Sequence, residues 1–235
     1  MKAGTLYLVA TPIGNLEDMT FRAVRVLKEA DVVVFEERKE GARLLRNFGI
    51  GEKPVESLNE HNEAAASEVI LRHLADGRSV ALISDAGTPV FSDPGLLLVQ
   101  NAIARGVPVV AVPGASSLLP ALTVSGFPID QFLYYGFLSP KRTRRMTELQ
   151  QLRRDPRTIV LMDTPYRLVQ VIRDIAEVVG AARRLCVAFD LTLPTEEIVR
   201  GTAPELFRQF SKSGKKGEFV IIMEPLERGK PTRNT

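Results

Sequence analysis

Over the first half of the chain, short apolar runs alternate with stretches of helical periodicity. Residues 5–10, 31–35, 80–83 and 108–112 read as strands, and 20–30, 40–48, 62–76 and 94–105 as helices. Short runs that are apolar throughout, separated by helices, point to βαβ units, because a parallel strand covered on both faces has no solvent side to carry polar residues. After Pro113-Gly114 the segment 115–122 predicts another helix, and Gly126-Phe127-Pro128 reads as the turn between an N-terminal domain, 1–125, and a C-terminal domain, 126–235. The second half predicts strands near 131–137, 158–162, 185–190, 196–201 and 218–224, with helices near 140–153, 165–178 and 203–212. Leu191 to Thr195 carries Pro194 and reads as the turn of a hairpin. Residues 226–235 are polar, charged and proline-containing, and a frayed tail is expected there. The expected class is α/β: two α/β domains, the first with a mostly parallel sheet and the second with a mixed one.

Composition narrows the chemistry. The 235 residues are 45% hydrophobic and 25% charged, ordinary for a globular chain with a sizeable core. A single cysteine, Cys186, excludes an internal disulfide and a multi-cysteine zinc site, and its neighbours Leu185, Val187 and Ala188 place it in the core. His61 and His73 are the only histidines, so no transition-metal site is expected. The chain opens into a strand-like run without a signal sequence, and no apolar stretch approaches the ~20 residues of a membrane helix. A cytoplasmic protein with no membrane partner is expected. The net charge of +3 is unevenly spread: Lys141, Arg142, Arg144, Arg145, Arg153, Arg154 and Arg157 face only Glu148 and Asp155 within residues 141–157. Such a block suits a polyanion such as RNA, or else a solvated helix face, which composition alone favours.

Three loops follow predicted strands of the first half: Thr11-Pro12-Ile13-Gly14-Asn15, the long stretch from Ser84 to Gly95, and Pro113-Gly114-Ala115-Ser116-Ser117. In open α/β sheets, ligands bind beyond the carboxyl ends of the strands, so these loops are expected to converge on one crevice. Their glycines permit close backbone approach, their hydroxyls can bond a ribose or a base, and Asp85 and Asp93 bring negative charge. That set suits a nucleoside bearing a cationic group. The absence of both G-x-x-x-x-G-K-[ST] and G-x-G-x-x-G removes the main support for a nucleotide triphosphatase or a dinucleotide enzyme. Asp93-Pro94 also reads as a helix start with Asp93 as cap. Asn59-Glu60-His61-Asn62-Glu63 offers an acid or base, or a polar helix start capped by Asn62, whereas His73 reads as surface or packing.

Taken together, Thr11 to Thr20 (Thr-Pro-Ile-Gly-Asn-Leu-Glu-Asp-Met-Thr), Glu60-His61-Asn62-Glu63, Ser84 to Gly95 and Gly217-Glu218-Phe219-Val220 resemble the small-subunit ribosomal RNA methyltransferase I family of the tetrapyrrole methylase superfamily. The resemblance runs over nearly the whole chain. It implies a homodimer of two-domain chains that bind S-adenosylmethionine and methylate the ribose 2′-hydroxyl of a cytidine in 16S ribosomal RNA, free or within the small ribosomal subunit. By position it assigns the donor to Pro12, Ile13, Gly14, Asn15, Ser84, Asp85, Ala86, Gly87, Thr88, Ser116, Ser117, Met162, Asp163, Ala188 and Phe189. It assigns RNA contact to Lys141, Arg142, Arg144 and Arg145. Three segments depart from the family pattern. Glu-Asp-Thr-Arg-His becomes Glu36-Glu37-Arg38-Lys39-Glu40, Glu-Ser-Pro-His-Arg becomes Asp163-Thr164-Pro165-Tyr166-Arg167, and Arg-Glu-Leu-Thr becomes Phe189-Asp190-Leu191-Thr192. These changes fall on the presumed acceptor side. Methyl transfer from a sulfonium is an in-line displacement that depends mainly on positioning, helped by a base for the weakly nucleophilic hydroxyl. Glu36, Glu37 and His61, in that order, are the candidate bases. Methylation of a carbon on a tetrapyrrole precursor and a non-catalytic RNA-binding role are the alternatives.

Overall fold

In the computed structural model, which describes residues 3–181 and 183–226, the chain divides between Ser116 and Ser117 into two compact units. The tail expected at 226–235 lies, beyond Leu226, outside the described residues. The first unit runs β1 (Leu6–Val9), α1 (Phe21–Glu29), β2 (Val32–Phe35), α2 (Arg38–Asn47), β3 (Val55–Ser57), α3 (Glu63–Ala75), β4 (Val80–Ile83), α4 (Leu96–Ala104) and β5 (Val109–Val112). Its five strands lie in the order β3-β2-β4-β1-β5, all parallel. Alternate residues of each strand serve opposite cores. Leu6, Val32, Val34, Val80 and Leu82 pack with Leu71, Leu74, Leu98 and Ala102 of α3 and α4. Val9, Val33, Phe35, Ala81 and Ile83 pack with Val26, Leu27 and Leu45 of α1 and α2. Each fully buried aliphatic side chain contributes roughly 1.5–3 kcal/mol.

This arrangement positions the site. β1 and β4 are neighbours, yet the helices that follow them, α1 and α4, cover opposite faces. The chain therefore leaves β1 and β4 towards opposite faces at this point of the sheet edge, the kind of position at which open α/β sheets bind ligands.

Several local details differ from the pattern along the chain. β3, with the sequence Val55-Glu56-Ser57, has no apolar run to announce it and exists because its backbone pairs with β2. α4 begins at Leu96 and not at residue 94, and Asp93 is not its cap. Gly95 holds the cap position at φ +121°, where a Cβ would come within 3.0 Å of Leu82 Cδ2. The missing side-chain cap is supplied by Glu63 of α3, whose Oε1 accepts the N–H groups of Gly95 (2.8 Å) and Leu97 (3.0 Å). A carboxylate there satisfies two orphan donors and complements the positive end of the helix. α2 starts at Arg38, with the Glu37 carboxylate accepting Lys39 N–H at 3.5 Å. Asn62 precedes α3 but does not cap it; its side chain accepts Asn59 N–H (2.7 Å) and donates to Ser57 O (3.0 Å).

The second unit runs α5 (Leu118–Ser125), β6 (Phe132–Phe137), α6 (Arg142–Leu152), β7 (Thr158–Asp163), α7 (Leu168–Val178), β8 (Arg184–Phe189), β9 (Glu197–Thr202), α8 (Ala203–Ser213) and β10 (Phe219–Met223). Its sheet, β6-β7-β10-β8-β9, is mixed: β6 is parallel to β7 and the remaining pairs are antiparallel. β8 and β9 form the hairpin expected around Leu191 to Thr195, with Leu193 N–H bonded to Asp190 O. Cys186 is fully buried in β8. α5 packs against β8, β9 and β10, and Arg200 of β9 donates to the carbonyls of Ser125 (2.9 Å) and Val124 at its end. The division thus falls before α5, and Gly126, at φ +75°, closes that helix instead of separating domains.

Candidate functional site

All three glycine-bearing loops leave the carboxyl edge of the first sheet, and main-chain bonds hold them together. Thr11 and Gly87 exchange N–H···O bonds of 2.9 and 3.0 Å, and Thr11 Oγ1 donates to Ser84 O at 3.0 Å. Thr88 Oγ1 donates to Ala115 O at 3.3 Å, which ties in the loop after β5. Gly87 adopts φ +87°, and a Cβ there would meet Ile13 Cγ2 at 3.3 Å. In the same loop Val90 and Ser92 take φ of +69° and +65°. A β-branched residue in the left-handed region is strained, and such strain persists only where the surroundings over-determine the backbone. Asn15 Oδ1 accepts Glu17 N–H and shapes the 3-10 turn Leu16–Asp18 that leads to α1.

Beneath these loops carboxylates crowd together. Ser84 Oγ donates to the Asp93 carboxylate and accepts Ala86 N–H (3.2 Å), while Asp85 Oδ1 accepts Glu37 N–H (3.2 Å). Burial pushes the Asp93 carboxyl up against the bond from Ser84. Burial likewise raises Asp85, with the negative charges of Glu37, Asp93 and Glu40 adding to it against the Glu37 N–H bond. Glu36, at the end of β2, is affected most: burial, then the charges of Asp93, Asp85, Glu60 and Glu37, raise its pKa to about 7. Glu36 is therefore poised to exchange a proton near neutrality. Glu37 is engaged as a helix cap, and His61 projects into solvent with its side chain 86% exposed and Nε2 3.5 Å from Glu60. His73 is half-buried and bonded to Glu56 at 3.1 Å.

Beside the loops lies a cavity of about 420 Å³. Its walls are Pro12, Ile13, Gly14 and Leu16, then Asp85 and Ala86, and on α2 Glu40, Arg43, Leu44 and Asn47. Of these α2 residues only Glu40 stands in a segment that the sequence singles out. Their spacing of three, one and three places them on one helix face, which is the signal that could have found them.

In the second unit Met162 and Asp163 end β7. Asp163 Oδ1 accepts Thr164 N–H (2.7 Å) and faces Arg167 (3.2 Å), and Oδ2 is buried with no partner among the described residues. Burial raises its pKa despite the Thr164 bond and the charges of Arg167 and Arg145. Ala188 and Phe189 are core: the Phe189 ring packs edge-on to Phe210 at 5.3 Å, and both residues pair with β10 on one side and β9 on the other. A Cβ on Gly217 would fall 2.6 Å from Asp190 Oδ1, which also accepts Glu218 N–H (3.0 Å). The glycine of the Gly217-Glu218-Phe219-Val220 motif is thereby explained as room for the Asp190 carboxylate.

The basic segment divides once folded. Arg145 is 2% exposed, bonds Asp174 through Nε and Nη2 (2.8 and 2.7 Å), and donates to Ser139 O and Pro140 O. Its expected contact with RNA is corrected: α6 turns it inward to neutralise a buried aspartate. Arg142 is half exposed but bonded to Asp174 and Glu177, and Arg144 pairs with Glu148 at the surface. Lys141 is exposed, and Arg153 and Arg154 line an open groove of about 1190 Å³ with Thr147, Gln150, Gln151 and Leu226.

The family of Tetrapyrrole (Corrin/Porphyrin) Methylases matches residues 5–206. The chain belongs to that family. Among curated tetrapyrrole methylases it is similar to Ribosomal RNA small subunit methyltransferase I of Xylella fastidiosa, with 43% identity over 94% of this chain and 81% of that protein. The proteins of the same name from Pseudomonas aeruginosa (41%, 95% and 79% covered) and Thermotoga maritima (40%, 95% and 100% covered) are also similar. Solved structures share the fold: uroporphyrin-III C-methyl transferase from Thermus thermophilus complexed with S-adenyl homocysteine (TM-score 0.64, 23% identity, 94% and 97% covered) and a cobalt precorrin-4 methyltransferase (TM-score 0.69, 19% identity, 94% of each chain).

Proposed function

We propose that this chain is an S-adenosylmethionine-dependent methyltransferase that modifies the 2′-hydroxyl of a cytidine ribose in small-subunit ribosomal RNA. The observation that carries this reading is the 43% identity over 94% of the chain to a protein named for that substrate. Tetrapyrrole methylation draws on structures under 25% identical, which bear on the fold alone.

The residues present fit the donor. Glu36, Asp85 and Asp93 supply the negative field that a sulfonium requires, and the crossing of Thr11 and Gly87 exposes main-chain groups at close range. We assign donor contact in the first unit to Pro12 to Asn15, Ser84 to Thr88 and Ser116. Asp163 Oδ2, buried and without a partner among the described residues, suits a hydroxyl or ammonium donor. When bound, the group supplies an activated methyl whose departure leaves a neutral thioether. Glu36 accepts the proton of the ribose hydroxyl as its oxygen gains the methyl. Lys141, Arg142 and Arg144, with Arg153 and Arg154, form the RNA-facing surface. A second copy of this chain is the partner for the outer face of α4, where Leu96 and Ile103 are exposed. Among the described residues no helix is long and apolar enough to cross a membrane, and the reading places the protein where ribosomes form, in the cytoplasm.

Calorimetry with S-adenosylmethionine is expected to show one site per chain; no heat of binding would remove the enzyme reading. Mass spectrometry of small-subunit RNA from cells lacking the gene should show one ribose methyl lost from a cytidine, and unchanged RNA would reject the acceptor. Sedimentation equilibrium should give twice the chain mass of 25.9 kDa. A monomer at micromolar concentration counts against the dimer.

A further inference from the structure

We infer that the cavity between α2 and the loops after β1 and β4 takes the base of the acceptor nucleotide, and that Glu40 and Arg43 select cytosine over uracil there. This inference rests on the RNA-methylating reading above. The cavity, about 420 Å³, lies within the range of roughly 300–1,000 Å³ typical of small-molecule sites. Pro12, Ile13 and Leu44 give it apolar walls for the faces of a base. Glu40 and Arg43 supply polar groups for its edge, held together at 2.6 Å with the Arg43 side chain 67% exposed. An enzyme acting on a nucleotide within RNA reads an unstacked base by its hydrogen-bonding edge, and this cavity opens beside the crevice at the sheet edge.

The order of donors and acceptors decides the base. A carboxylate only accepts and a guanidinium only donates. Cytosine presents an amino donor next to two acceptors, which meets Glu40 with the amino group and Arg43 with the ring nitrogen and carbonyl. Uracil presents a carbonyl where the amino group stood and an N–H where the acceptor stood, so both contacts become repulsive. The methyl donor is the competing occupant, because Pro12, Ile13, Gly14, Asp85 and Ala86 stand in its assignment as well. Arg43 would repel a sulfonium, and of the carboxylates that would attract one, Glu36, Asp85 and Asp93, the cavity is lined only by Asp85.

The full-length protein decides it in two measurements. Methyl transfer to a small-subunit RNA fragment is compared with transfer to the same fragment carrying uridine at the modified position. Wild type is expected to prefer cytidine by about tenfold or more in kcat/KM, and Glu40→Gln or Arg43→Gln to shrink that preference by about tenfold. S-adenosylmethionine affinity by calorimetry and the thermal midpoint should stay unchanged in both variants. A preference unaltered in both variants overturns the inference while leaving the RNA reading intact, and so does a lost affinity for S-adenosylmethionine, which would make this the donor's cavity. Wild-type protein that methylates neither fragment overturns the RNA reading and the inference with it.

Discussion

Glu36→Gln is expected to lower single-turnover methyl transfer by about 10²–10⁴-fold, the usual worth of a positioned general base, with S-adenosylmethionine affinity changed far less. The substitution keeps the shape at the end of β2 and removes the proton acceptor. Because burial and the neighbouring charges of Asp93, Asp85, Glu60 and Glu37 raise this carboxyl to about 7, kcat/KM in wild type should climb tenfold per pH unit below that value and level off above it. The variant should show no such rise. Stability moves the other way. With its folded pKa above its unfolded value, Glu36 binds protons more readily in the native state, so its ionisation above about pH 7 works against the fold. Glu36→Gln is therefore expected to melt higher than wild type at pH 8 and to lose that advantage below pH 4.5, where both states are protonated. A variant with normal turnover would transfer the role to another group, and one that melts lower at pH 8 would contradict the electrostatics.

Asp174→Ala is expected to destabilise the second unit by about 3–5 kcal/mol, because it strands a buried guanidinium. Asp174 is fully buried in α7 and receives Arg145 (2.8 and 2.7 Å), Arg142 (3.2 Å) and Arg173 (3.2 Å). Urea unfolding followed by tyrosine fluorescence reads this unit preferentially, since Tyr134, Tyr135 and Tyr166 all lie in it. Burial pushes the Asp174 carboxyl up, and the bonds from Arg145, Arg142 and Arg173 outweigh that and hold it below the usual range. With the folded pKa depressed, the stabilisation is present above the ordinary carboxylate value near 3.8 and is lost as pH falls through the folded value. Wild type should therefore lose stability on acidification in a component that Asp174→Ala lacks. A midpoint within error of wild type at pH 7 would show that the ion cluster is solvated and not structural.

What could be read along the chain and what could not separates by the range of the interactions involved. The strands β1, β2, β4 and β5, the mixed second sheet, the β8–β9 hairpin and the core position of Cys186 follow from runs and periods a few residues long. So do the three loops after β1, β4 and β5, since a strand followed by Gly, Pro and Ser ends in a loop wherever it folds. β3 escaped notice because pairing with β2 makes it a strand, and the start of α4 was misplaced because its cap is Glu63, more than thirty residues away. The hardest features depend on which charges meet. Arg145 is one of a row of basic residues until Asp174 of another helix draws it inside, and Glu36 is an ordinary carboxylate until Asp85 and Asp93 from the neighbouring strand's loop crowd it. The sequence by itself determined the two-unit α/β architecture and the loops of the crevice, because local patterning specifies elements and turns. Only the tertiary structure decided which carboxylate is poised near neutrality, which arginines face outward, and that α2 closes a cavity beside the loops, because desolvation and charge pairing exist only between groups brought together from distant parts of the chain.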